Sequence, residues 1–148
     1  MNSALFSQLW VHHPGRVDFP CDKATFPNQC AIRMGVALEK SGVNTSSFDA
    51  KYPNRRCYSG FKHTPRHILA AQELANWMKS EKNIFGEVVK VDVTKPNKAL
   101  LGKKGIVFIK DGWSSVDHID VWDGVDMKGG ENNFFSVGKE IWFWEVKP

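Results

Sequence analysis

The sequence predicts an α+β domain, with helices first and an antiparallel sheet after them. Apolar residues recur at helical spacing up to about residue 82, and short β-branched and aromatic runs take over from residue 87. The dipeptide Asp123-Gly124, a strong tight-turn signal, lies directly after one of those runs. Helices followed by strands, rather than the two alternating, point away from a parallel sheet.

Leu5, Phe6, Leu9 and Trp10 place a short helix over 3–12, stopped by Pro14. Residues 15–27 read as loop and carry Cys21. From Asn28 or Gln29 to Lys40, the set Cys30, Met34, Ala37 and Leu38 shares one helical face, and Gly42 follows as a C-terminal cap. Residues 43–62 are polar and rich in turn formers. "TPRHILAAQELANWMKSEK" (64–82) reads as the clearest helix. Thr64 serves as its N-cap, Pro65 occupies the first position, and Ile68, Ala71, Ala75 and Met78 form its stripe. Strands are expected in "EVVKVDV" (87–93), "GIVFIKD" (105–111), "HIDVWDG" (118–124) and "EIWFWEV" (140–146). No repeat, linker or low-complexity tract divides the chain, so residues 1–148 are expected to form a single domain with its own core.

Composition narrows the partners. Apolar residues at 42% and charged ones at 24% fit a soluble globular protein. A net charge of +4 leans towards an anionic partner, but the basic residues are scattered and no nucleic-acid signature appears. No apolar run is long enough to span a membrane, and "MNSALFSQLWVHHPG" lacks the layout of a secretory signal. Three cysteines are too few for a disulfide framework.

Cys30 is therefore the residue to explain. It is either a small buried apolar group or a nucleophile whose thiolate is favoured by the amides and dipole of a helix N-terminus. A nucleophilic thiol needs a base. Among five histidines, His12 and His13 lie before Pro14, and His63 and His67 flank the 64–82 helix start. His118 opens a strand, with Asp120 on the same face. A base at the start of a central strand would be rigid and face a helix packed across the sheet. Cysteine on an early helix and histidine on a later strand is the layout of papain-like hydrolases. Pro65, standing between His63 and His67, takes His63 out of the helix, so no metal site is read there and no cofactor is called for.

The blocks "NQCAIRMGVAL", "GKKGIVFIKDGW", "HIDVWDG" and "EIWFWEV", in this order, resemble the type VI secretion amidase effector family, group four. The resemblance implies a papain-like fold related to NlpC-type cell-wall peptidases. It implies hydrolysis of the γ-D-glutamyl–meso-diaminopimelate amide of peptidoglycan stem peptides in a rival cell's periplasm. It also implies delivery by the type VI apparatus and protection of the producer by a cognate immunity protein. Carried onto this chain, Cys30 matches the nucleophile and His118 the general base.

For the orienting acid, a two-residue turn at Asp123-Gly124 would pair His118 with Gly129, which carries no carboxylate. Asp120 is the first choice, and Asp126 the second if a bulge shifts the register. The Cys30 N–H, with Asn28 or Gln29, is the candidate oxyanion donor set. Cys21 and Cys57 are either one disulfide or two thiols. Two other classes stand against the hydrolase. One is a non-catalytic basic, aromatic-rich module gripping cell wall or nucleic acid; the other is a cysteine acyltransferase.

Overall fold

The computed structural model describes residues 1–16, 20–21, 24–26, 28–57, 66–92, 94, 96–111, 117–131, 134–135 and 138–147. Helix α1 (Ser3–His12) is capped by Asn2, whose side chain accepts the Leu5 N–H at 2.8 Å. Helix α2 (Cys30–Lys40) ends in the expected way, with Gly42 at φ 86° and the Val43 N–H on the Leu38 carbonyl. Short helices α3 (Ser46–Lys51), α5 (Lys82–Phe85) and α6 (Pro96–Leu100) accompany the longer α4 (Ala71–Ser80).

α4 starts well inside the segment read as helix. Ala70 is extended (φ −111°, ψ 122°), and Ile68 forms an antiparallel bridge with Arg56. Thr64, Pro65 and His63 lie outside the described residues. The strand-favouring Ile68 gains a backbone partner there and packs against α2 where Gly35 presents no side chain; a Cβ at Gly35 would sit 3.8 Å from the Ile68 Cβ. Arg56, itself buried, fixes the other side of the bridge. It donates to Asp49 (2.9 Å), Glu39 (3.0 Å) and the Thr45 carbonyl (2.9 Å).

The sheet comprises β1 (Val89–Val91), β2 (Gly105–Lys110), β3 (His118–Trp122) and β4 (Glu140–Glu145), in the order β1-β4-β2-β3 with antiparallel pairing throughout. One face, with Ile106, Phe108, Ile119, Val121, Trp142 and Trp144, closes on α1, α2 and α4 to form the main core. The other face, with Val107, Ile109, Trp122, Ile141 and Phe143, is covered by Leu100, Met127 and Phe135.

Two expectations are corrected by this arrangement. β3 is an edge strand rather than a central one. The hairpin after it is not a two-residue turn: residues 123–126 form the loop, and Trp122 bridges Met127. The Asp123 carboxylate stabilises this longer loop by accepting the Val125 and Asp126 N–H groups at 2.9 and 2.7 Å. The shifted register, continued by the Lys128 N–H on the Val121 carbonyl, brings Gly129 beside Asp120 instead of His118.

Candidate active site

Cys30 is the first residue of α2, and His118 the first of β3. Ile119 and Val121 point into the helical core, so alternation sends His118, Asp120 and Trp122 to the opposite face. A helix on one side of a sheet can reach a side chain on the other only around an edge, and β3 supplies that edge. There the His118 ring hydrogen bonds both Cys30 and Asp120. Its Nε2 lies 2.8 Å from Asp120 Oδ2. The Cys30 Sγ also lies 3.5 Å from the Asp117 carbonyl oxygen, and the Phe134 ring stands edge-on to the imidazole at 5.0 Å.

Asp120 is fully buried, yet it is amply solvated by protein. It accepts the N–H groups of Val121 (2.8 Å), Gly129 (3.0 Å) and Gly130 (2.6 Å) besides the His118 ring. Such a shell keeps a carboxylate ionised inside a protein. Burial alone would raise its pKa; the bond and charge of His118 outweigh that and lower it. For His118, burial alone would disfavour the charged ring. The hydrogen bonds to Asp120 and Cys30 prevail and raise its pKa to about 10.

A second histidine touches the same carboxylate. His13 Nε2 is 3.5 Å from Asp120 Oδ1, and its Nδ1 accepts the Gly15 N–H at 3.1 Å. Nδ1 is thus the acceptor, the proton sits on Nε2, and the ring faces Asp120 as a neutral donor. Burial first, then the nearby Lys128 and Arg33, outweigh Asp120 and depress the His13 pKa to about 4.

Of the remaining residues named from sequence, Asn28 accepts the Cys30 N–H on its Oδ1 at 3.3 Å. Gln29 directs its amide nitrogen to the carbonyls of Phe26 (2.7 Å) and Cys21 (3.3 Å), so its donors hold the preceding loop. Asp126 is exposed on the 123–126 loop, with its N–H and carbonyl both turned to Asp123. Sequence reasoning missed His13 and the two glycine amides. A Cβ on Gly129 would lie 2.8 Å from His13 Cε1, and one on Gly130 2.7 Å from His118 Nε2. The adjacent pair Gly129-Gly130 was the available signal of a close backbone approach. Cys21 and Cys57 are buried and not joined by a disulfide.

A helix N-terminal cysteine meeting a strand histidine and its carboxylate, in an α+β domain with one antiparallel sheet, defines the papain-like class. A model of the family described as "Type VI secretion system (T6SS), amidase effector protein 4" matches residues 26–144, and the chain belongs to that family. It is therefore a peptidoglycan-directed amidase effector of the type VI secretion system.

Among solved structures, the chain is similar to the effector Tae4 from Salmonella typhimurium, solved in complex with the immunity protein Tai4 from Enterobacter cloacae. The TM-score is 0.68 and the identity 19%, over 96% of this chain and 98% of that one. It is also similar to Tae4 from Enterobacter cloacae, with a TM-score of 0.66 and 18% identity, over 97% and 94% of the two chains. At these identities the likeness establishes the fold. No curated protein matches the chain. No described helix is long and apolar enough to cross a membrane.

Proposed function

We propose that the chain hydrolyses the γ-D-glutamyl–meso-diaminopimelate amide of peptidoglycan stem peptides by covalent catalysis at Cys30. The observation that carries this reading is the His118 ring bonded at once to Cys30 and Asp120. The sulfur attacks the glutamyl carbonyl carbon, and the C–N bond breaks as the His118 imidazolium gives its proton to the leaving diaminopimelate amine. The neutral ring then takes a proton from water, whose oxygen attacks the thioester and frees the thiolate. Asp120 fixes the ring's tautomer and stabilises its cation.

The Cys30 N–H is the natural oxyanion donor once the exposed Asn28 side chain turns aside. Gln29 supports the loop rather than the oxyanion. The site of action is the periplasm of the target cell. By analogy with the effector–immunity complexes of its structural relatives, a cognate immunity protein neutralises the effector in the producer.

Digestion of purified peptidoglycan, with fragments read by mass, tests bond and nucleophile together. Wild type should release a new glutamate carboxyl and a new diaminopimelate amine, and Cys30→Ala should release neither. Cleavage at another bond, or activity surviving in the alanine variant, overturns the reading.

A further inference from the structure

We propose that Cys21, Cys57 and His67 form a zinc-binding site that ties the loop leading into α2 to the segment preceding α4. The two sulfurs and a ring nitrogen of His67 all lie within 4.8 Å of one another, and all three residues are buried. They are far apart in sequence, and the fold brings them to one point on two segments.

Cys57 and His67 face each other beside the Arg56–Ile68 bridge, with the Cys57 N–H on the His67 carbonyl at 2.8 Å. Cys21 comes from the loop before α2 and packs with Cys57 against Ile32 of that helix. The nine residues of sequence between Cys57 and His67 and the thirty-five between Cys21 and Cys57 hid this grouping from spacing rules, which look for ligands a few residues apart.

The donor chemistry selects the ion. Two thiolates and an imidazole are soft to borderline ligands, suited to Zn²⁺ and unsuited to Mg²⁺ or Ca²⁺. With Zn–S near 2.3 Å and Zn–N near 2.0–2.1 Å, donors around one tetrahedral zinc stand roughly 3.5–4 Å apart. The cluster closes on such an ion by shifts of about 1 Å. The His67 N–H already donates to the Cys57 sulfur at 3.1 Å, as the amides around zinc thiolates do. On binding, both thiols release their protons to solvent, neutral His67 gives a nitrogen lone pair, and the fourth position goes to a solvent ligand.

A Cys21–Cys57 disulfide would use the same sulfurs. It would leave the convergence of His67 without a purpose and give the amide a poorer acceptor.

The site bears on the neighbouring chemistry through its packing on Ile32 of α2 and through the Gln29 amide, which holds the Cys21 carbonyl at 3.3 Å, next to Cys30 in sequence. Zinc at Cys21 would therefore stiffen the entry to α2.

The test uses the full chain as Cys30→Ala, so that only the buried cluster offers thiolates. Reduced, metal-free protein is titrated with Co²⁺. One equivalent should produce a thiolate-to-cobalt charge-transfer band with the visible bands of tetrahedral cobalt. Zn²⁺ should abolish both bands at one equivalent and raise Tm. Adding Cys57→Ser should halve the charge-transfer band; should that variant fail to fold, the titration of the folded protein still decides.

Absence of a thiolate band in the folded protein overturns the proposal. So does a band undiminished by Cys21→Ser with Cys57→Ser, or a Cys21–Cys57 disulfide that forms in a glutathione buffer despite stoichiometric Zn²⁺.

Discussion

The Nε2 atom of His118 and the Oδ2 atom of Asp120 are 2.8 Å apart on the same face of one strand, the acid two residues after the ring it holds. Such a pair needs no second element to set its distance, because the strand repeat does so. Three backbone amides fix the carboxylate in turn.

Asp120→Asn is expected to lower the hydrolytic rate by roughly 10²–10⁴-fold, because the ring loses its tautomer control and its counter-charge. Asp126→Asn, on the exposed loop, should leave the rate within about twofold. Kinetics on a soluble stem peptide decide between the two acids.

The same pair makes stability depend on alkaline pH. The folded pKa of His118, about 10, lies above its ordinary 6.5. Its contribution is complete below about pH 6.5 and is lost as pH rises through about 10. Urea midpoints should fall across that window in wild type and much less in Asp120→Asn.

His13 gives the opposite sign. Its folded pKa of about 4 lies below 6.5, so the unfolded chain takes up the proton first as pH drops. Stability should fall from pH 6.5 to about 4, by on the order of 3 kcal/mol, and then level off. His13→Gln should flatten this acid limb of the urea-midpoint profile.

Gly130→Ala would place a methyl group 2.6 Å from Phe134 and 2.7 Å from His118 Nε2. A cost of about 1–3 kcal/mol in stability is expected, with activity falling further because the ring is pushed off Asp120. Thermal melts and peptide kinetics on the same sample separate the two effects.

The four strands and the Cys30 helix were legible because their patterns are local: β-branched runs, a helical stripe, a glycine cap. The helix expected from residue 64 was misread because Ile68 fits a helical stripe and a strand equally, and its pairing with Arg56 is a tertiary choice. The Asp123-Gly124 turn misled for a related reason. Asp123 uses its carboxylate to cap a longer loop, which no dipeptide rule anticipates.

Cys30 and His118 could be named as candidates because the family resemblance singles them out, and Asp120 because strand alternation puts it on the His118 face. His13 could not, since nothing local marks a histidine before Pro14 as buried against a residue more than a hundred positions away.

The outermost position of β3 also constrains what an engineer or natural variation can append. New strands can be stitched onto the flank of β1 that no described strand pairs, at the opposite edge of the sheet from His118. A ribbon laid along β3 would have to displace the Met127–Gly130 stretch that already lines it, and with it the two amides that hold Asp120.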